Sequence, residues 1–475
     1  MVLPTLKVQV WRFPAVFWCK PMKQVLLICN DTIGHKMAGP AIRCMELAKA
    51  LSSQFDVVVS AQNLDVTFVP PFAVVPATLE AVEAAAGRAD VIVIQGDALR
   101  RYPTLLKTEA VLVADLYCPI PLEYHMSSHG VAEDVRLRTG WYVAQLMQQQ
   151  LFYADHFLCA SDRQKDFWVG ALTMAGRINA LSMPDGVRTA LEQIISCVPF
   201  GLPDVRPIAN GSPLRTKFGI AEDDFLMVWG GGIYEWFDPL TIIRAVAELD
   251  RQGLKAHLVF LGVKHPNPGI NEHDRVSDAV NLARELGVLD RLVHFNFGWI
   301  DYHIRHEYLL DADVGVSAHL DNAETRYSFR TRMLDYLWCG LPILATRGDE
   351  FGDMAGREPL GVAIDYEDSE AWCVAIRRMM TDAGFVAECR ANVERVRVRY
   401  TWSRVTEPLA DVCRRVLPSP DRAYARANAN GQSGGTVLQR PSLLVRVRDA
   451  YGRYGLGGTI KAVLRRVKHN LVSSK

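Results

Sequence analysis

Hydrophobic positions along this chain fall in short continuous runs. Between the runs, apolar residues recur every three or four positions. VLLICN (25–30) leads into a Gly-containing loop and then AIRCMELAKALSS, whose apolar residues lie at helical spacing. FDVVVSA, DVIVIQG, AVLVAD and HFLCAS repeat the theme. Unbroken β-rich runs of this length suit strands buried on both faces of a parallel sheet. Strand–helix alternation then implies right-handed crossovers and a doubly wound α/β sheet. A Pro- and Gly-rich stretch, VPFGLPDVRPIANGSPLRTKFGI (198–220), interrupts the pattern and reads as a linker. Alternation restarts in FLMVWGGG, AHLVFLG, LVHFNFG, VGVSAHL, LPILATRG and GVAIDY. Two α/β domains are therefore predicted, over 22–200 and 201–416. The helical stretch 386–416 either extends the second domain or crosses back onto the first.

The ends of the chain break from this pattern. Residues 1–21 are apolar but interrupted by Pro4, Pro14 and Pro21, and they carry no small-residue cleavage site. They are expected to be a disordered extension before the first strand. Residues 417–441 are polar, small and Pro/Gly-rich, and are expected to be a flexible linker. From Ser442 onward the chain holds eight Lys/Arg against one acid, Asp449. Ile460, Val463, Leu464 and Val467 there form one helical stripe, with Lys461, Arg465 and Arg466 largely elsewhere. That basic amphipathic tail suits an anionic membrane surface; a helix docked on the protein or a disordered tail fits it too.

Composition narrows the class. Net charge is zero over 475 residues, so the whole molecule has no nucleic-acid signature. Ten scattered cysteines form no CxxC pair and fit a reducing, cytoplasmic setting. No run approaches the ~20 apolar residues of a membrane span.

Three loops carry candidate chemistry. DTIGHKMAGPAIR (31–43) is a strand–loop–helix junction with Gly34 and Gly39, where backbone can approach an anion at a helix N-terminus. A plain tight turn explains it as well, because the dinucleotide spacing GxGxxG is missing. VWGGGIYEWFDPLTIIRAV (228–246) runs a strand into Gly230, Gly231 and Gly232, with Asp238 placed as helix cap or as ligand. ETRYSFRTRMLDYLWCGLPILAT (324–346) sets Arg326, Arg330 and Arg332 beside Glu324 and Asp335. Guanidinium suits phosphate because it donates two parallel hydrogen bonds; an internal salt-bridge network is the alternative.

The last run resembles the signature of the retaining family-4 glycosyltransferases of the GT-B fold, which carry two carboxylates with seven residues between them. The second normally stands in a run like LEAxAxGxP. Here that run is LDYLWCGLP, so Asp335 takes its place, Tyr327 falls where the first carboxylate sits, and Glu324 is three residues earlier. A bacterial branch with GGIxxWFDPLT and ETxxSFRTRxLDYLW is matched at 231–241 and 324–338. VPFGLP (198–203) and VFLGVKHP (259–266) also fit. The resemblance spans about residues 22–400.

It implies two facing Rossmann-like domains, with a nucleoside-diphosphate sugar in the cleft between them. The second domain would hold the nucleotide and the first the acceptor, a glycan or glycolipid hydroxyl. Carried over by position, Gly39, Gly231 and Gly232 would face the diphosphate, and Asp335 the ribose. Gly298 and Trp299 would lie by the base, with Asp238 and Ser328 also on the donor side. The family's Arg–Lys pair falls near Gly232 and Phe237 and is missing. Arg330 and Arg332 are expected to supply that charge, with Glu324 standing in for the first carboxylate. Asp115, in VADLYCP, is expected to replace the first-domain histidine. No convincing Asp-x-Asp metal motif stands at a strand end, so transfer is expected to be free of metal; the resemblance implies retaining, hexosyltransferase-like transfer with no other cofactor. The expected place is the cytoplasm, against the inner face of the cell membrane. A sugar-nucleotide epimerase of the same fold, or a non-catalytic nucleotide-sugar-binding protein, are the competing readings.

Overall fold

A computed structural model describes residues 22–63, 70–128, 130–263 and 274–432. The extension 1–21, the later linker 433–441 and the basic tail 442–475 lie outside the described residues.

The first sheet contains β1 (Gln24–Ile28), β2 (Asp56–Ala61), β3 (Ala73–Pro76), β4 (Val91–Ile94), β5 (Val111–Asp115), β6 (His156–Cys159) and β7 (Ile195–Cys197). All pair in parallel, in the order β3-β2-β1-β4-β5-β6-β7. The second contains β8 (Phe225–Trp229), β9 (Ala256–Phe260), β10 (Val293–Phe295), β11 (Val314–Ser317), β12 (Ile343–Thr346) and β13 (Gly361–Ile364). Its order is β10-β9-β8-β11-β12-β13, again parallel.

Continuous apolar runs arise because both faces of each sheet are covered. In β1, Val25 and Leu27 join one core cluster while Leu26 and Ile28 join another. The two edge strands β3 and β7 were not legible as runs: β3 is only partly buried and β7 is three residues long.

The first cluster continues from the inner face of the first sheet through Phe200, Leu202 and Trp402 to Leu226, Met333 and Phe351 of the second domain. The chain crosses between domains twice, and the crossings are stitched together. The Leu202 amide donates to the Tyr400 carbonyl at 2.8 Å, and the Trp402 amide returns to Leu202 at 3.0 Å. Helix Ala383–Arg397 packs on the second domain, whereas Trp402–Val405 and Glu407–Arg415 pack on helix Gly39–Leu51 and β7 of the first. The 386–416 stretch thus does both things the sequence left open.

Beyond it, where a flexible linker was expected, residues Arg422–Gln432 form a helix against helix Glu133–Tyr153. The anchor is long-range. Arg177 donates to both carboxylate oxygens of Asp421, at 2.8 and 3.0 Å, and neither side chain is exposed by more than 1%. Local composition gives no sign of a partner some 244 residues away.

Candidate functional site

In a doubly wound sheet the ligand crevice lies outside the carboxyl ends of the strands, where strand order reverses. Here that point falls between β1 and β4 in one domain and between β8 and β11 in the other. The loops after β1 and β8 face each other there, around a cavity of about 180 Å³. Its walls include Ala38, Gly39, Gly231, Gly232, Trp299, Arg332 and Asp335.

From the first domain comes the start of helix Gly39–Leu51. Its N-cap, Ala38, makes no side-chain capping bond. The first-turn amides are therefore available to an anion, and the helix dipole favours one.

From the second domain comes the glycine loop. Gly231 adopts a φ of +74°, a region that favours glycine. The Gly230 amide donates to Tyr336 Oη at 2.8 Å, and that hydroxyl lies 2.9 Å from the Val316 carbonyl. Burial pushes the Tyr336 phenol up to about 12, so it stays protonated and can donate. Its ring lies over Gly315, where a Cβ would come within 2.4 Å. Tyr336 and Gly315 thus hold the loop from below, and the sequence motifs singled out neither.

Arg332 and Arg305 are the arginines that line this cavity among the described residues, and Arg332 is the one beside the glycine loop. Its Nη2 donates to the Gly232 carbonyl at 2.8 Å, and its guanidinium lies over Trp229 and Phe237 at 4.5 and 4.1 Å. Nη1 is buried with no hydrogen-bond partner among the described residues. Burial, helped by the charge of Arg330, pulls its pKa down to about 10, the mark of a cation short of an anion.

Arg330 sits differently. It forms a bidentate pair with Glu324 at 2.9 and 2.6 Å and approaches Asp349 at 3.6 Å. His319, fully buried, meets Asp349 at 3.1 Å. Burial alone would raise the Asp349 carboxyl, but the His319 hydrogen bond and the neighbouring cations hold it below its usual value. For Arg330 and Glu324 the salt-bridge alternative describes the structure, and neither lines the cavity.

Across from this pair stands Glu123, on helix Ile120–Ser127 of the first domain. Burial first, then the Glu324 charge, push its carboxyl up to about 7. Sequence reasoning missed it, because no motif marks a single Glu in IPLEYH.

Asp335 lines the cavity and pairs with Arg305 at 2.9 Å; Arg305 lies over Tyr302 and Trp338. Trp299 also lines it, with Nε1 3.3 Å from the Met37 carbonyl of the other domain. The remaining expected residues fall elsewhere. Asp238 caps helix Pro239–Arg251, accepting from the Thr241 amide at 3.1 Å. Ser328 donates to the Thr325 carbonyl, and Gly298 is exposed outside the cavity.

Asp115 is sealed inside the first domain. Arg43 donates to both its oxygens at 2.7 Å and Gln95 donates at 2.9 Å, with both charged side chains at 0% exposure. A carboxylate so satisfied braces helix Gly39–Leu51 against β5 and does not reach the cleft.

Two doubly wound parallel sheets with a cavity at their facing carboxyl ends define the GT-B fold. Solved structures agree. Anabaena HepE in complex with UDP-glucose superimposes with a TM-score of 0.61 at 16% identity, over 82% of this chain and 99% of that one. Sucrose-phosphate synthase from Thermosynechococcus elongatus gives 0.60 at 16% identity, over 83% and 99%. WaaG, a glycosyltransferase involved in lipopolysaccharide biosynthesis, gives 0.56 at 16%, over 82% and 99%.

The chain is also similar to curated sequences. D-inositol 3-phosphate glycosyltransferase of Saccharomonospora viridis is 26% identical over 236 residues, 49% of this chain and 51% of that protein. Its namesake in Salinispora tropica is 25% identical over 198 residues, 42% of this chain and 40% of that protein. The chain thus spans about half the length of the first and less of the second. No family model matches the chain.

Proposed function

We propose that this protein is a glycosyltransferase that moves a sugar from a nucleoside-diphosphate donor to a hydroxyl acceptor. The observation that carries the reading is Arg332: a buried guanidinium with Nη1 unpartnered, set between a glycine loop and an uncapped helix N-terminus. Each of those three features binds phosphate, and together they suit a diphosphate. The names of the curated relatives and the UDP-glucose bound to HepE support the same chemistry.

In this reading the diphosphate lies between Gly39 and Gly231–Gly232. Arg332 and the helix amides stabilise the charge that grows on the leaving phosphate, in a site from which water is largely excluded. Asp335 and Trp299 bound the nucleoside side. Arg330 acts through Glu324, which it orients toward Glu123 at the sugar end. Transfer proceeds with retention and without a metal in the transfer step. The acceptor is a glycan or lipid-linked glycan, brought to the first domain. Among the described residues no helix is long and apolar enough to cross a membrane, and we assign any membrane contact to the basic tail 442–475.

Thermal-shift titration with UDP, GDP, ADP and dTDP tests the donor site. A ligand at 100 times its Kd stabilises by about 2.7 kcal/mol. One nucleotide should shift wild type and shift Arg332→Ala much less. A folded wild type that responds to none of the four would overturn the reading.

A further inference from the structure

A second cluster of chemistry sits where the domains meet at the rim of the cavity. His35, on the loop after β1, faces Asp301 and His303 on the loop after β10. His35 Nδ1 lies 3.1 Å from Asp301 Oδ2. The two imidazoles meet edge to face, 5.8 Å apart at 77°. One ligand atom from each of the three residues can be chosen so that all lie within 4.8 Å of one another. We propose that His35, Asp301 and His303 form a binding site for a divalent transition metal of the zinc class, and that the ion staples the two domains together.

The ligand set points to that class of metal. Two imidazole nitrogens and one carboxylate oxygen suit zinc and its neighbours, whereas magnesium and calcium prefer oxygen alone. In a tetrahedral zinc site with bonds near 2.0–2.1 Å, neighbouring ligand atoms stand about 3.4 Å apart. The His35–Asp301 pair, at 3.1 Å, is within a few tenths of an ångström of that spacing. His303 is exposed, and binding requires its ring to turn toward the other two ligands. The fourth position falls to water.

The backbone also prepares the site. The His303 amide donates to Asp301 Oδ1 at 2.8 Å, which leaves Oδ2 turned toward His35. The Tyr302 amide donates to the His35 carbonyl at 2.9 Å, so the two loops are registered before any ion arrives. A ligand-bearing carboxylate held by a second hydrogen bond is the usual support of a metal site.

One ligand belongs to the first domain and two to the second. An ion held by all three binds the joined domains better than the parted ones and so shifts the molecule toward closure. The same loops carry Met37 and Trp299, which line the cavity, so closure here gates its rim. The inference does not depend on which ligand fills the cavity.

The test uses the full chain, stripped with a chelator and titrated calorimetrically with zinc chloride. One ion should bind per chain, and cobalt should give visible d–d absorption bands from the same site. His35→Ala and His303→Ala should each weaken binding at least about tenfold, the size of effect that even indirect ligand perturbations have. Both variants remove exposed or half-exposed side chains, and circular dichroism checks that they fold. Zinc should slow amide exchange in both segments, 35–37 and 299–303, in wild type alone. Absence of stoichiometric zinc binding, or binding unchanged in the two variants, would overturn the site. Slowed exchange confined to the 299–303 segment would overturn the staple.

Discussion

Arg332 and Arg330 stand two positions apart, yet their surroundings divide them. Glu324 takes both terminal nitrogens of Arg330, whose Nε faces the Asp349 carboxylate at 3.6 Å, while Nη1 of Arg332 has no hydrogen-bond or carboxylate partner among the described residues. A charge-assisted hydrogen bond contributes about 1.5–3 kcal/mol. Arg332→Ala should therefore weaken nucleotide binding by roughly 10- to 150-fold in calorimetry. Arg330→Ala should instead lower stability, because it strands the buried Glu324 carboxylate.

Glu123 gives a prediction in pH. Its pKa is raised from 4.5 to about 7, so between those values the folded state binds the proton and the unfolded state does not. Stability from this group is fully present below the unfolded value and declines as pH rises through the folded one. Glu123→Gln removes that decline. Relative to wild type, the variant should gain on the order of 2 kcal/mol between about pH 4 and about pH 8, measured by urea unfolding. Parallel curves for the two proteins would show that Glu123 ionises normally.

At the scale of elements, the glycine loop depends on the helix Thr331–Cys339, which brings Tyr336 beneath it. Tyr336→Phe leaves the Gly230 amide buried and unbonded, at a cost of about 1–3 kcal/mol. Chemical denaturation should register that loss, and nucleotide affinity should fall with it as the loop loosens. Gly315→Ala should be more harmful than its size suggests, since the added Cβ meets the Tyr336 ring.

The helix Arg422–Gln432 is held by Arg177 and Asp421, both inaccessible. Breaking a buried pair from one side costs about 3–5 kcal/mol, because a bare charge remains. Arg177→Ala should lose stability of that order, with faster hydrogen exchange over 422–432. Unchanged exchange there would mean that packing on helix Glu133–Tyr153 suffices to hold it.

The whole molecule is joined at its double crossing and at both rims of the cleft. On one rim the loops 35–37 and 299–303 touch; on the other Arg163 donates to the Gly348 carbonyl at 2.7 Å and Gln164 to Tyr327 at 2.9 Å. At the crossing, a Cβ on Gly201 would come within 2.6 Å of the Trp402 ring. Overpacking of this kind costs about 1–3 kcal/mol. Gly201→Ala should lower Tm, and adding Trp402→Leu should recover part of the loss. Two independent, additive losses would mean that the residues do not share one contact.

Sequence alone determined the α/β class, the division into two parallel sheets, most strands, and the two glycine loops that face the cavity. These are local properties: the period of burial marks strands and helices, and a strand that ends in glycine marks a loop at the sheet's carboxyl edge. Tertiary structure decided which charges meet. It gave Asp115 to Arg43, 72 residues distant, and so withdrew it from the cleft; it gave Arg177 to Asp421, and so turned an expected linker into a docked helix. It set Glu123 against Glu324 and brought His35 to Asp301. The physical reason is one of range. Hydrophobic period is written into each segment, but a buried charge is settled by whichever partner the finished fold brings within hydrogen-bond reach.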